Sequence, residues 1–160
     1  MKVQSKSLLL ACMLAVGSMG AAPAFAAHGV PLNTTFSASG ATSLTAGGIT
    51  VACTSTFTLV SGANVANNTT VTQAVFTGSN PICASLTAQG LPWQVTYNST
   101  TAATIQNVSI RTPLTTCAGN VSAAINSAAS SITISGNVGS GCTASGVLAV
   151  SPAFQVITPN

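Results

Sequence analysis

The sequence predicts an all-β protein, an antiparallel β-sandwich or barrel of about eight to ten short strands. Three observations support this prediction. Along most of the chain, apolar residues alternate with Thr and Ser at a period of two, which is typical of strands that bury one face. Clusters of Gly, Pro and Asn interrupt the alternation, as turns do. Charged and long straight-chain helix formers are nearly absent, so a helix is hard to place.

Taken in chain order, the alternation places the apolar residues of each strand on one face. The predicted sets are Ile49 with Val51 and Cys53, Phe57 with Leu59, Val71 with Val75, Trp93 with Val95 and Tyr97, Val108 with Ile110, Ile132 with Ile134, and Phe154 with Val156. Turns are predicted between them, among others at Gly47-Gly48, Gly90–Pro92 and Ala118–Asn120. Residues 121–129 are the one place where a helical turn would fit.

Residues 1–26 are interpreted as a signal peptide. Lys2 and Lys6 form a basic start, an apolar stretch follows, and Ala24-Phe25-Ala26 supplies a small-x-small cleavage signal. The mature chain then begins at Ala27, and residues 27–160 are expected to form a single β domain. The apolar stretch is too short to remain as a membrane anchor, so we expect no integral membrane span in the mature chain.

The predicted mature chain contains four cysteines, Cys53, Cys83, Cys117 and Cys142. An even count in an exported chain favours two disulfides. Four cysteines permit three pairings, of which we favour Cys53 with Cys83 and Cys117 with Cys142. A zinc site is the less favoured alternative, because the chain has no CxxC pair and a single histidine.

The chain has no Asp and no Glu, and after residue 26 its only basic side chains are Arg111 and His28. General acid–base catalysis relies on such proton carriers, and a glycosidase needs a pair of carboxylates. His28 is the second residue of the predicted mature chain, and the serines have no base with which to form a triad. We therefore expect no catalytic residue, no cofactor and no metal site. Without a basic patch we also expect no nucleic-acid partner.

Three side chains are candidate ligand contacts: Trp93, Tyr97 and Arg111. Trp93 and Tyr97 share one face of a predicted strand and would form a binding stripe, although a single Trp in a β domain more commonly belongs to the core. Arg111 has no acidic side chain to pair with. It is either a solvated residue at a strand end or a contact for an external anion, a lipid headgroup or a neighbouring subunit's C-terminal carboxylate.

The scarcity of charge also bears on association. Soluble sheet proteins commonly protect their outer strands with charged side chains, and this chain has almost none to use. The same scarcity removes electrostatic repulsion between copies. Self-association and adsorption to an apolar surface are therefore candidate functions.

Three stretches of the chain resemble a known family. They are residues 35–40 leading into 48–53, the run from Ile82-Cys83 to Gly90-Leu91-Pro92-Trp93, and residues 141–146. With the export signal and the four-cysteine framework, they are similar to the PraB-type protein activator of alkane oxidation over nearly the whole mature chain. The resemblance implies a small exported bacterial protein that promotes growth on hydrocarbons without being an enzyme. It brings no active-site motif.

The leading hypothesis is an exported, non-enzymatic protein that acts at the cell surface or the hydrocarbon–water interface, with hydrocarbon or an apolar surface as its partner. Its expected location is the medium or the outer cell surface, with the periplasm as an alternative. A second hypothesis is a self-assembling subunit of a pilin-like fibre or biofilm matrix, in which residues 29–44 are donated to another copy. A third is a module that binds a hydrophobic or carbohydrate ligand through Trp93 and Tyr97.

Overall fold

The computed structural model describes residues 27–65, 68–139 and 141–158, so the predicted signal peptide lies outside the described residues. Within them the chain forms strands and one short 3-10 helix, which confirms the all-β prediction. The 3-10 helix spans Cys83–Ser85. The strands are β1 (His28–Val30), β2 (Thr35–Ala46), β3 (Ile49–Val60), β4 (Thr69–Thr77), β5 (Thr87–Gln89), β6 (Trp93–Tyr97), β7 (Ala102–Arg111), β8 (Thr116–Asn126), β9 (Ser131–Asn137), β10 (Cys142–Ser151) and β11 (Gln155–Ile157).

Eight strands close into an up-and-down antiparallel barrel. In the order β2, β3, β4, β6, β7, β8, β9, β10, each strand pairs with the next, and β10 pairs back onto β2. The short strand β5 pairs with the end of β7, on the side where β6 pairs with the start of β7. Strands β5 and β6 therefore share one position in the wall, interrupted at residues 90–92. Of the two architectures that the sequence predicts, the structure has the barrel.

The alternation in the sequence separates a carbon-rich interior from an outer wall rich in hydroxyl groups. The outward residues are mainly Thr and Ser, and some bond across strands, as Thr45 does to Thr50 with 2.7 Å between their hydroxyl oxygens. These groups give the wall a polar surface in place of charges. On β3 the residues that face inward and are buried are Val51, Cys53, Ser55 and Leu59.

The two ends of the barrel differ. One end, which we call the rim end, carries the turns between β2 and β3, β4 and β5, β7 and β8, and β9 and β10. The other, the closed end, is covered by the two-stranded sheet of β1 and β11. A Cβ atom on Gly29 of β1 would lie 2.8 Å from the Tyr97 hydroxyl and 2.9 Å from the Phe154 ring. Phe154 in turn packs edge-on against Phe36, with ring centroids 5.2 Å apart. The closed end is therefore tightly packed.

Strand β4 departs from the predicted alternation. Val71 is buried, whereas Val75 is 42% exposed, so the prediction that they share a face is wrong. The cause is a β-bulge: Thr58 of β3 pairs with Gln73 and the next residue, Leu59, pairs with Val71, which leaves Thr72 unpaired in that ladder. The extra residue shifts the alternation by one, and Phe76 points inward instead of Val75.

Strand β8 is the second difference. The predicted turn at Ala118–Asn120 and the predicted helical turn at residues 121–129 are both wrong, because β8 runs from Thr116 to Asn126. Gly119 serves close packing instead of a turn: a Cβ atom there would lie 2.6 Å from the amide nitrogen of Gly139. The glycine lets the turn after β9 lie directly on β8.

Both predicted disulfides are present and confirm the favoured pairing. Cys53–Cys83 joins β3 to the 3-10 helix, with Cα atoms 5.7 Å apart. Cys117–Cys142 joins β8 to β10, which lie on either side of β9, also with Cα atoms 5.7 Å apart. The two bridges close segments of 30 and 25 residues and both lie near the rim end. The first bridge ties the segment between β4 and β5 to the barrel wall, and the second joins two strands across β9.

Replacing both cysteines of either bridge by alanine should lower the free energy of unfolding by about 3–4 kcal/mol, because bridges over loops of this length restrict the unfolded chain to a similar extent. Guanidinium denaturation of Cys53→Ala/Cys83→Ala and of Cys117→Ala/Cys142→Ala measures the loss. Wild-type protein under reducing conditions is the control and should lose at least as much as either variant. A loss below about 1 kcal/mol for both variants would contradict this account.

Candidate functional site

The rim end carries an apolar groove of about 100 Å³. Two of its side chains are exposed although they are large and apolar: Ile49 is 48% exposed and Leu114 is 60% exposed. Large apolar side chains that cluster at the surface mark places where a protein meets apolar partners. The groove is lined by Leu44, Ala46, Ile49, Val51, Ile82, Leu86, Thr112, Pro113 and Leu114.

The hairpin between β2 and β3 forms one wall of the groove. Its two turn residues, Gly47 and Gly48, have φ angles of +58° and +81°, the left-handed values that a two-residue hairpin turn needs. The tight turn pairs Ala46 directly with Ile49 at the tip of the barrel. Since the ladder ends there, no further strand residue covers Ile49. The turn chemistry thus explains why Ile49 is exposed while Val51, two residues on, is buried.

The turn between β7 and β8 forms the opposite wall. The Thr112 side chain, which is buried, fixes this turn: its hydroxyl donates to the Thr115 carbonyl at 2.8 Å and accepts from the Leu114 amide at 3.2 Å and the Thr115 amide at 3.0 Å. Leu114 is thereby held above the hairpin, where a Cβ atom on Gly47 would lie 3.7 Å from Leu114 Cδ1. The groove wall is preorganised by these bonds.

The third wall is the segment between β4 and β5. The Asn80 side chain accepts a hydrogen bond from the Ile82 amide at 3.0 Å, and the Cys53–Cys83 bridge anchors the next residue to β3. This anchorage places Ile82 and Leu86 against the hairpin. The bridge therefore builds the groove as well as stabilising the fold.

Beneath the groove lies an interior cavity of about 50 Å³. The two spaces share Leu44, Val51 and Leu86, which form the floor of one and the roof of the other. The cavity lining is almost entirely apolar and includes Trp93. A polar pair within it, Thr42 and Ser55, is satisfied internally, with 2.6 Å between the hydroxyl oxygens. Neither space presents a charged side chain, so the surroundings that both offer are apolar.

The structure places the candidate contacts Trp93 and Tyr97 inside the barrel, so they form no exposed stripe. Both are buried. Trp93 Nε1 donates to the Gln89 carbonyl at 2.8 Å, across the interruption between β5 and β6. The Tyr97 hydroxyl donates to Thr69 Oγ1 at 2.8 Å at the closed end. Only Trp93 lines the interior cavity, and Tyr97 lies on the far side of the core.

Arg111 lies apart from both aromatic residues, at the rim end of β7. Its side chain is exposed beside a shallow polar groove of about 440 Å³. Among the residues that the structure describes, none forms a hydrogen bond or ion pair with its guanidinium group. The shallow groove is lined by Ser85, Thr87, Gln89, Arg111, Thr112 and Pro113.

His28 lies at the opposite end, buried in β1, and its Nδ1 atom has no hydrogen-bond partner among the described residues. In the same described ranges no three His, Cys, Asp or Glu side chains come together as a metal site would require. No helix in the described part of the chain is long and apolar enough to cross a membrane. Among the described residues, the side chains at the rim end therefore form the best candidate for a binding site.

Sequence reasoning missed the groove residues Ile49 and Leu114. The alternation groups Ile49 with the buried residues of its strand, because it gives no sign of where a barrel wall ends. Leu114 had a weak signal: it is an isolated leucine in the turn segment Thr112-Pro113-Leu114-Thr115, where nothing in the local pattern would bury it. An apolar residue in such a turn is a useful marker of a surface site.

Burial raises the pKa of Tyr97 to about 12, and the hydrogen bond with Thr69 offsets part of that rise. The folded protein therefore keeps a proton that the unfolded chain loses above its ordinary pKa of 10.0. The free energy of unfolding should be unaffected by this group below pH 10 and should fall between pH 10 and 12, by up to about 1.4 kcal/mol per pH unit.

Tyrosinate absorbance measures this directly, since the chain has one tyrosine. Denaturation of wild type and Tyr97→Phe across the same pH range isolates the contribution, because the variant should lack the alkaline fall. A tyrosinate midpoint at the ordinary value in the folded protein would show that the hydroxyl is not buried as described.

Comparisons with known proteins agree with the resemblance seen in the sequence. The family model described as alkane oxidation protein activator, PraA/PraB-like, matches residues 1–158. No curated protein and no solved structure gives a significant match. The family match covers nearly all of the 160 residues, including every strand of the barrel and both disulfides. The chain therefore belongs to the PraA/PraB-like family of alkane oxidation protein activators.

Proposed function

We propose that this protein is an exported, non-enzymatic activator of alkane oxidation that holds alkyl chains in the apolar groove at the rim end. The family supplies the connection with alkanes. The observation that supports binding is the groove itself, with Ile49 and Leu114 exposed at its edge. The site of action in this proposal is the cell surface or the hydrocarbon–water interface.

The energetics of a groove of this kind favour hydrocarbon. Each methylene that leaves water for apolar surroundings contributes about 0.8 kcal/mol, so a chain of a few methylenes gains several kcal/mol. The groove is largely formed before any ligand arrives, since its turns are fixed by Thr112 and by the Cys53–Cys83 bridge. Less ordering is then required on binding.

Export and the non-enzymatic role rest on composition. The first 26 residues have the pattern of a signal peptide, and two disulfides suit an oxidising compartment. The chain has no carboxylate side chain for acid–base chemistry. These features support a protein that delivers or disperses hydrocarbon for enzymes elsewhere.

Octane in the vapour above a solution of the purified protein should fall below its level above an inert secreted β protein, because bound octane leaves the gas phase. Ile49→Thr/Leu114→Ser should weaken this uptake by roughly tenfold, since two groove walls lose apolar surface. Headspace gas chromatography gives the measurement. The matched control is Val75→Thr/Val147→Thr, which alters two exposed valines outside the groove.

The control variant should take up octane as wild type does. Equal uptake by the wild type and the inert protein would overturn the proposed function. Equal losses in the two double variants would show that uptake depends on general surface hydrophobicity, and the groove would lose its role.

A second candidate function, self-assembly, is favoured by one feature of β4. Residues Gln73–Thr77 pair with β3 on one side, whereas the ladder with β6 ends at Val71. This half of β4 therefore has no ladder partner on its second side, where β5 and the 3-10 helix lie nearby without pairing, and it carries an exposed valine, Val75. The donated strand predicted from the sequence finds no such support, because residues 37–39 and 42–44 of β2 pair with both β3 and β10, and residues 29–30 pair with β11.

If copies associate through this edge, Val75→Lys should abolish assembly, because a charge on an edge strand opposes pairing. Val147→Lys is the control: Val147 is also exposed, but its strand β10 is paired on both sides. Light scattering and electron microscopy over a concentration series report the outcome. A wild type that stays monomeric throughout, or equal assembly by both variants, would count against this candidate.

A further inference from the structure

Arg111 is the only lysine or arginine after residue 26, and the chain has no acidic side chain to neutralise it. Its guanidinium is permanently charged and forms no hydrogen bond or ion pair with the residues that the structure describes. An exposed arginine in water is ordinary by itself. Its position is informative, because the single charge of a nearly uncharged domain lies beside the apolar groove.

The two grooves at the rim end share a wall. Thr112 and Pro113 line both the apolar groove and the shallow polar groove that contains Arg111. On the polar side, Arg111 lies directly across the ladder from Thr87, and Ser85 and Gln89 complete the lining. A molecule with its tail against Leu114 would therefore reach Arg111 by crossing the shared wall of Thr112 and Pro113.

We propose that the two grooves form one site for an alkanoate, with the alkyl chain in the apolar groove and the carboxylate on Arg111. This proposal rests on the proposed function, since it assigns the same apolar groove to the tail. Its new content is the headgroup site and the resulting preference for a fatty-acid anion over a neutral hydrocarbon.

The chemistry of the polar groove fits a carboxylate. A guanidinium presents paired N–H donors whose spacing matches the two oxygens of a carboxylate. The hydroxyls of Ser85 and Thr87 and the amide of Gln89 add neutral donors without adding charge. One guanidinium balances one negative charge, so the site suits a monoanion with a single chain. No carboxylate side chain in this protein competes for Arg111.

This assignment gives the site a relation to alkane oxidation. When the terminal methyl group of an alkane is oxidised to a carboxyl group, the alkane becomes an alkanoate and the rest of its alkyl chain is unchanged. The apolar groove accepts the chain of either compound, whereas Arg111 contacts only the product. The protein would therefore bind an alkanoate more tightly than the alkane from which the alkanoate is formed.

Isothermal titration calorimetry with monomeric octanoate, 1-octanol and octyltrimethylammonium tests the proposal, since the three probes share a chain and differ in charge. Wild type should bind octanoate about fivefold more tightly than octanol, the upper range for an exposed charge pair, and should bind the cation least. The preference should shrink as salt is raised. Arg111→Gln should bind octanoate and octanol equally, with octanol affinity unchanged, and Arg111→Lys should recover part of the preference.

Two control variants are needed. One distinguishes a specific contact with Arg111 from an effect of net charge, and the other tests the binding of the alkyl chain alone. Arg111→Gln/Ser122→Arg restores the net charge on an exposed position of β8 six residues from its rim end, and should not restore the preference. Leu114→Ser should weaken octanoate and octanol by the same factor. Methyl NMR of Leu114 should shift with both probes.

Equal affinity of wild type for octanoate and octanol would overturn the headgroup site and leave the apolar groove intact. A preference for octanoate that survives in Arg111→Gln, or that returns in Arg111→Gln/Ser122→Arg, would also overturn it. Binding to phosphatidylglycerol vesicles with no affinity for octanoate would replace the fatty acid by a membrane surface. Failure to bind any of the three probes would remove the proposed function together with this inference.

Discussion

Closure of the sheet between β2 and β10 is the constraint on which the rest of the structure depends. A strand edge left open would need charged side chains to prevent association, and this chain has almost none. Closure removes those two edges, and glycines make it sterically feasible. A Cβ atom on Gly40 would lie 2.1 Å from the Val147 carbonyl oxygen, and one on Gly146 would lie 2.6 Å from that of Ala41. The two backbones approach more closely than side chains would allow.

The closed wall also determines where function can lie. The buried interior is largely apolar, the outer wall carries mainly hydroxyl side chains, and the sheet of β1 and β11 covers one end. Among the described residues, only those at the rim end combine exposed apolar side chains with a charge, and both disulfides lie close to it. Its turns are held by covalent bridges and by the Thr112 hydroxyl, which fixes the shape that a ligand would meet.

Sequence reasoning was sufficient for features that depend on local pattern. The period-two alternation identified β3, β6 and β9 correctly. The favoured cysteine pairing is the one observed, although no local pattern decides among the three possible pairings. Sequence reasoning failed where a single residue changes the register, as at Thr72, and where a glycine serves packing, as at Gly119. The choice of barrel over sandwich depends on pairing between β2 and β10, about a hundred residues apart, which no local pattern encodes. For the same reason the rim groove, assembled from three distant turns, could not be found in advance.

The interruption at residues 90–92 has a mechanical consequence. Because it divides one wall position between β5 and β6, only three residue pairs join β4 to β6, whereas twelve join β2 to β3. A cylinder of hydrogen-bonded strands yields first at the seam crossed by the fewest bonds. Trp93 lies at this seam, and its indole N–H bridges the interruption to Gln89. In mechanical terms the wall should part first between β4 and β6, and next between β8 and β9, which four pairs join; the Trp93–Gln89 bond keeps β5 and β6 in one wall position without crossing either line.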